Sequence, residues 1–388
     1  MDRKTACQEN RGGRNCCPFS GSGKGPDGAG AWTKQEAEGL NAGLQASRTA
    51  SAGRSAAARR ELSSDWLTVF TETIQSEAYR PCPTGLSFFD ALLDGGIIQQ
   101  SLLILTAAPG TGRTALCQQI AEAMAAHRRP VVCLNLEMSR EQMFARAVSA
   151  MMVRTGRGRK TAMDILQGCR WTDGDRRLIL EATEEYRRTV YPYIQYNPGG
   201  VGSSWEKIRD YLHSTGERSK AENRQAPALI VDCLHLVRTD GGLDNQELPR
   251  QVVKGLKDYA VRYNTFVIAI SATNRVSNIS GRITMESGRD SSNIEYTGDY
   301  QLSLNYSAVD SGEVKTTETE KMAWLQRMPW RQMVIRVLKG RFVMPGRSAR
   351  VYFHAACNMF YGEDDRLPDD AERTSFSQQQ TRAGNRRS

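Results

Sequence analysis

What the chain lacks narrows its class before any motif is read. Across 388 residues no apolar run approaches the ~18 residues of a membrane span. The opening Met1-Asp-Arg-Lys-Thr5 is followed by no apolar signal core. A soluble cytoplasmic protein is therefore expected, neither spanning a membrane nor secreted. Histidine is scarce: His127, His213, His235 and His354 lie far apart and form no ligand spacing. Nine cysteines, an odd number scattered along the chain, read as reduced thiols and not as a disulfide framework. Cys7 and the Cys16-Cys17 pair have no second pair or histidine nearby, which argues against zinc there. Lysine is also scarce, 11 against 41 arginines. That imbalance becomes important at the phosphate loop.

What is present suffices for one sizeable core: 39% of residues are hydrophobic, which excludes a wholly disordered chain. The net charge of +9 is compatible with a polyanionic partner without demanding one. The first sixty residues hold ten basic and five acidic side chains, so over half of the excess belongs to that stretch. Residues 1–60 are rich in Gly, Ser, Ala and Arg and bury too little apolar surface to offset chain entropy, so a disordered tail is expected. Gly21, Gly23 and Lys24 look faintly phosphate-like, but no apolar strand precedes them. Over residues 61–80, Leu62, Trp66, Phe70 and Ile74 recur every four positions, the stripe of an amphipathic helix. Such a helix packs either on its own domain or on a neighbouring subunit. Residues 362–388 are polar and read as a second disordered tail.

Residues 81–361 alternate apolar runs with helical stretches. Ser101–Thr106, Pro130–Leu136, Tyr193–Tyr196, Ala228–Cys233 and Thr265–Ser271 read as buried strands. Gln301–Tyr306, Met333–Leu338 and Arg350–Phe353 follow without clear helices between them. The fold class expected is α/β, a doubly wound and mainly parallel sheet with antiparallel C-terminal strands. Met138, Met143, Met151 and Met152 read as core filler, and Trp324 and Trp330 as packing residues.

The strongest chemical signal is Ala107-Ala-Pro-Gly-Thr-Gly-Arg-Thr114, set between a strand and a helix as a phosphate-binding loop requires. Ala107, Pro109, Gly110, Thr111 and Gly112 form the turn, whose backbone N–H groups can close around phosphate oxygens. Arg113 stands where such loops carry lysine, and Thr114 places a hydroxyl where Mg²⁺ binds. A guanidinium is planar and forked where an ammonium is a compact point charge. Arg113 can thus hold phosphate while missing the position that stabilises transition-state charge. Asp232 ends an apolar strand and suits the Mg²⁺ water shell. Glu137, at the end of the strand that follows the loop's helix, suits a general base for water.

In this order the elements resemble the RecA-like P-loop NTPase domain of DnaB-type replicative helicases. Pro83-Thr-Gly-Leu-Ser-Phe-Phe-Asp90 resembles the family's Pro-Thr-Gly entry segment, and Asn135-Leu-Glu-Met138 its Ser-Leu-Glu-Met. Ile230-Val-Asp-Cys-Leu-His-Leu236 is similar to its Asp-Tyr-Leu-Gln-Leu strand. Phe266 to Arg275 resembles the strand leading to Ser-Gln-Leu-Asn-Arg, and Glu286 to Glu295 its Arg-Glu-Ser-Gly-Ser-Ile-Glu. Lys339-Gly-Arg341 with Pro345-Gly346 looks like its Lys-x-Arg-Asn-Gly-Pro-Thr-Gly element. The likeness covers roughly residues 60–361, and the family's usual helical N-terminal domain is not matched.

The resemblance implies an ATP- and Mg²⁺-dependent helicase translocating 5′ to 3′ on single-stranded DNA as a homo-hexamer. A helicase loader or primase would be a partner, and no membrane is involved. It assigns Arg113 to phosphate, Thr114 and Asp232 to Mg²⁺, Glu137 to the catalytic base, and Lys339 and Arg341 to the γ-phosphate of an adjacent subunit. It places the stripe of Leu62, Trp66, Phe70 and Ile74 on a linker helix that docks on the next subunit. The departures are Arg113 and Ala272, the latter standing where the family has a nucleotide-sensing Gln. The acidic, Gly-rich stretch between Arg238 and Pro249 offers little charge for DNA, whereas Arg275, Arg282 and Arg289 are the candidate phosphate contacts. Two alternatives stay open: a nucleotide- and DNA-binding relative with impaired hydrolysis, and a RecA-fold recombination or regulatory ATPase.

Overall fold

The computed structural model describes residues 66–75, 80–241, 247–273, 283–284, 297–311, 323 and 325–365. Both expected tails lie outside these except for residues 362–365, as do Leu62, Trp324, Arg275, Arg282 and Arg289. The chain divides into two compact units between Gln75 and Ser76. In the first, helix α1 (Trp66–Gln75) forms as the four-residue spacing requires, and Trp66, Phe70 and Ile74 on its stripe are exposed.

The second unit is built on one nine-stranded sheet. Its strands are β1 (Leu102–Ala107), β2 (Val131–Asn135), β3 (Ile194–Tyr196), β4 (Ala228–Asp232), β5 (Val267–Ala272), β6 (Tyr300–Tyr306), β7 (Trp330–Gly340), β8 (Ser348–His354) and β9 (Met359–Gly362). Their order is β3-β2-β4-β5-β1-β6-β7-β8-β9. Pairings from β3 through to β6 are parallel and those from β6 to β9 antiparallel. The expected fold class is thus observed. β7 extends beyond Met333–Leu338 at both ends, and β9 has no counterpart in the sequence reading. Four buried residues beside a turn carry too little periodicity to register as a strand.

Helices α2 (Ser87–Leu92), α3 (Arg113–Ala126), α4 (Arg140–Arg154), α5 (Ala162–Leu166), α6 (Asp173–Thr189), α7 (Trp205–Ala221), α8 (Glu247–Arg262) and α9 (Ser307–Asp310) occur between the strands. Capping boxes start two of the long ones, Ser139 with Gln142 at α4 and Thr172 with Asp175 at α6. Side-chain alternation explains why both faces of the sheet are covered. Leu103, Leu105, Val131, Cys133, Ile230, Ile268 and Ile270 pack with α3, α4 and α6 in one core. Their neighbours Leu102, Ile104, Val132, Leu134, Leu229, Val231, Val267 and Ala269 pack with α7 and α8 in a second. A strand buried on both faces reads as a continuous apolar run, which is how β1, β4 and β5 stand in the sequence. Met143, Met151, Met152 and Trp330 are buried, as a packing role requires.

Candidate functional site

The parallel strands end along one edge, where the turns after β1, β2 and β4 meet. After β1 the loop turns through Gly110 (φ 79°) and Gly112 (φ 90°), conformations that glycine adopts without steric cost. A Cβ on Gly112 would also come within 2.8 Å of the Phe353 ring. Ala107 sits in the extended last position of β1, fully buried and level with Ala272 of β5 and Leu304 of β6. That position needs no glycine, so alanine fits there. The loop is tied to the antiparallel strands. The Gly110 carbonyl accepts from Arg331 Nη1 at 2.8 Å and from the Tyr306 hydroxyl at 3.3 Å.

α3 begins at Arg113, and its N-terminal N–H groups face the loop. The Arg113 side chain is nearly buried, and Nη2 donates to Glu137 Oε1 at 2.7 Å. Its Nη1 is buried without a hydrogen-bond partner among the described residues, and so is Asp232 Oδ1. These two orphaned atoms, one donor and one carboxylate acceptor, suit a phosphate oxygen and a hard cation respectively. Burial pushes the Asp232 carboxyl above the ordinary carboxylate range, while the Thr114 hydroxyl pulls it back down. Thr114 and Asp232 therefore sit side by side with oxygen donors, a set that fits Mg²⁺.

Asn135 organises this edge and was not singled out by sequence reasoning. Its Nδ2 donates to Asp232 Oδ2 at 3.0 Å. Its Oδ1 accepts the backbone N–H groups of Glu137 and Met138 at 3.0 and 2.7 Å. One amide thus holds the Asp232 carboxylate and the turn that carries Glu137. Arg146 of α4 is a cation that sequence reasoning missed: it is half-buried, and the Asp232 and Glu137 carboxylates counter the lowering effect of that burial on its pKa. Periodicity gave no signal for it, because an arginine on a helix reads as a solvated side chain.

The structure brings Ala107, Pro109, Gly110, Thr111, Gly112, Arg113, Thr114, Glu137 and Asp232 to one edge but leaves Lys339 and Arg341 elsewhere. β7 runs antiparallel to β6, so Lys339 lies opposite Gln301, near the start of the parallel strands. Arg341 Nη1 pairs there with the buried Asp299 at 3.1 Å. Asp299 also accepts from Lys257 Nζ at 2.6 Å and from the Leu102 N–H at 2.8 Å.

His235, far in sequence from the other histidines, has its Nδ1 2.7 Å from Cys233 Sγ. Both stand beside Glu137. The pair is Cys-x-His, just past the end of β4.

The family model described as DnaB-like helicase C terminal domain matches residues 82–360. The replicative DNA helicase DnaB of Pasteurella multocida (strain Pm70) is 28% identical over 229 residues, 56% of this chain and 45% of that protein. The chain thus spans about half the length of that relative. A solved structure described as an ATPase domain superposes with a TM-score of 0.60 at 18% identity, covering 77% of this chain and 97% of that one. A DnaB-like replicative helicase, whose structure was described with its interactions with primase, gives 0.59 at 19% identity over 76% of this chain and 65% of that one. At such identities the superpositions speak for the fold alone.

Proposed function

The chain belongs to the DnaB-like helicase C-terminal domain family, and from that premise we propose that it is an ATP-driven translocase on single-stranded DNA. The observation that carries the proposal is the meeting of Arg113, Thr114, Glu137 and Asp232 at the C-terminal edge of one parallel sheet. Phosphates would lie against the loop from Pro109 to Gly112 and the start of α3, where backbone N–H groups and the helix dipole favour anions. Thr114 and Asp232 would hold Mg²⁺, which when bound neutralises phosphate charge. Glu137, fixed by Asn135, would take the proton of the attacking water. For that the Arg113–Glu137 pair must open, because a carboxylate held by guanidinium is a weak proton acceptor. The triphosphate offers Arg113 a more highly charged partner.

Lys339 and Arg341 would complete the site of an adjacent copy. Their place at the far end of β7 supports a trans role, since neither lies near its own loop. A homo-hexameric ring in the cytoplasm, with a loader or primase as partner and movement 5′ to 3′, follows from family membership as part of the same proposal.

The Arg113–Glu137 pair also favours a second reading, a relative that binds nucleotide and DNA but turns over slowly. Steady-state ATPase of the full chain with and without single-stranded DNA, beside Arg113→Lys and Glu137→Gln, separates the two. The first reading predicts DNA-stimulated turnover in the unaltered chain that Glu137→Gln removes. Turnover that appears only with lysine at position 113 would establish the second.

A further inference from the structure

The end of β4 carries a donor set unlike the oxygen ligands around Thr114. Cys233 and His235 flank Leu234 where the chain enters a single 3₁₀ turn, Leu234–Leu236. The Cys233 thiol is fully buried, its sulfur 2.7 Å from His235 Nδ1. Glu137 arrives from the end of β2, and one sulfur, one nitrogen and one carboxylate oxygen lie within 4.8 Å of one another. Among the described residues it is the one group of three or more such side chains placed to share an ion.

We propose that Glu137, Cys233 and His235 form a Zn²⁺ site. Thiolate, imidazole and carboxylate are the ligand types that zinc takes, and three protein donors leave its fourth position open to water. Thiolate is foreign to Mg²⁺, so softness separates this site from the Thr114–Asp232 pair. Cys233 anchors the ion from the buried side, whereas the exposed Glu137 and half-buried His235 admit it from solvent. As the zinc–sulfur bond forms, the thiol proton passes to water and the imidazole turns a lone pair from the sulfur to the ion. Glu137 has a second oxygen for the metal besides the Oε1 that Arg113 holds. Zinc so bound occupies the carboxylate that the proposed reaction uses as its base, and it inhibits turnover. That consequence rests on the proposed function, whereas the binding itself does not.

The test is a titration of the reduced, metal-free full chain with Co²⁺ in the absence of nucleotide. One equivalent is expected to give the visible bands of tetrahedral cobalt with a near-ultraviolet thiolate-to-cobalt band, both displaced by Zn²⁺. Cys233→Ser removes the near-ultraviolet band. His235→Gln, the family motif's residue there, weakens cobalt binding by about tenfold or more. Cys169→Ser, at an exposed thiol, changes neither. No thiolate band in the unaltered chain, or one that survives both Cys233→Ser and His235→Gln, overturns the proposal. Cobalt bands of the expected kind in a protein without ATPase activity would uphold the metal site and count against the proposed function alone.

Discussion

Strand β7 has Arg331 near its start and Arg341 just past its end, and the two ends meet different chemistry. At its start Arg331 donates to the carbonyl of Gly110 and stacks over Phe353, so it supports the phosphate loop of its own chain. Lys339 is eight residues further on, about 26 Å away at ~3.3 Å per residue, and Arg341 lies just beyond the strand. There Arg341 pairs with Asp299 at the opposite edge of the sheet. The cause is topological. An antiparallel strand laid beside a parallel one must run from the C-terminal edge back to the N-terminal edge. One strand can therefore brace the Gly-rich loop of its own chain while carrying cations to the opposite edge of the sheet.

Breaking the far end is predicted to have the largest effect. Arg341→Ala should lower ring turnover by about 10³-fold, with nucleotide affinity of the single chain unchanged. The loss is not one of folding: Arg341 is half-exposed, Asp299 keeps Lys257 and the Leu102 N–H, and thermal unfolding should register ~1 kcal/mol or less. Next comes Glu137→Gln, expected to lower single-turnover hydrolysis by at least about 10²-fold while nucleotide still binds. Arg331→Ala, at the near end, sharpens the contrast. It removes a donor from the loop carbonyl and should weaken nucleotide binding by about tenfold, the equivalent of ~1.4 kcal/mol, measured by titration calorimetry on the single chain.

The smallest effect concerns stability. Burial raises the folded-state pKa of Asp232 above its unfolded value. That shift favours the folded state fully below the unfolded pKa, and the benefit is lost as pH rises through the folded value. At neutral pH the ionised, buried carboxylate is therefore a cost. Asp232→Asn should abolish turnover yet raise unfolding stability at neutral pH by on the order of 1 kcal/mol. The gain should shrink as the pH is brought down through the acidic range, as denaturant titrations at several pH values would register.

Much of this was legible in the sequence because it rests on local pattern. The loop from Ala107 to Thr114 announces itself by glycine spacing between a strand and a helix, and strands buried on both faces appear as apolar runs. Glu137 and Asp232 stand out because each ends such a run. Contacts that depend on strand order were not legible. Arg331 reaches Gly110 only because β7 lies two strands from β1, a fact no local window contains. Asn135 looks like any strand-end amide until β4 places Asp232 beside it. The Cys233–His235 pair was hidden because a two-residue spacing means nothing until the turn brings both side chains together. Arg113 stands out by its residue type, but its partner Glu137 is set by the packing of α3 against β2.

In the proposed ring, one chain supplies base and phosphate loop while the next supplies the arginine. Mixing Arg341→Ala protein with Glu137→Gln protein tests it most directly, by the ATPase activity of the mixture against each alone. Each variant by itself lacks one half of every site, but in a mixed ring some interfaces join an intact Glu137 to an intact Arg341. Activity in the mixture is expected to lie well above that of either variant. A mixture no more active than its components, in rings shown to exchange subunits, would contradict it.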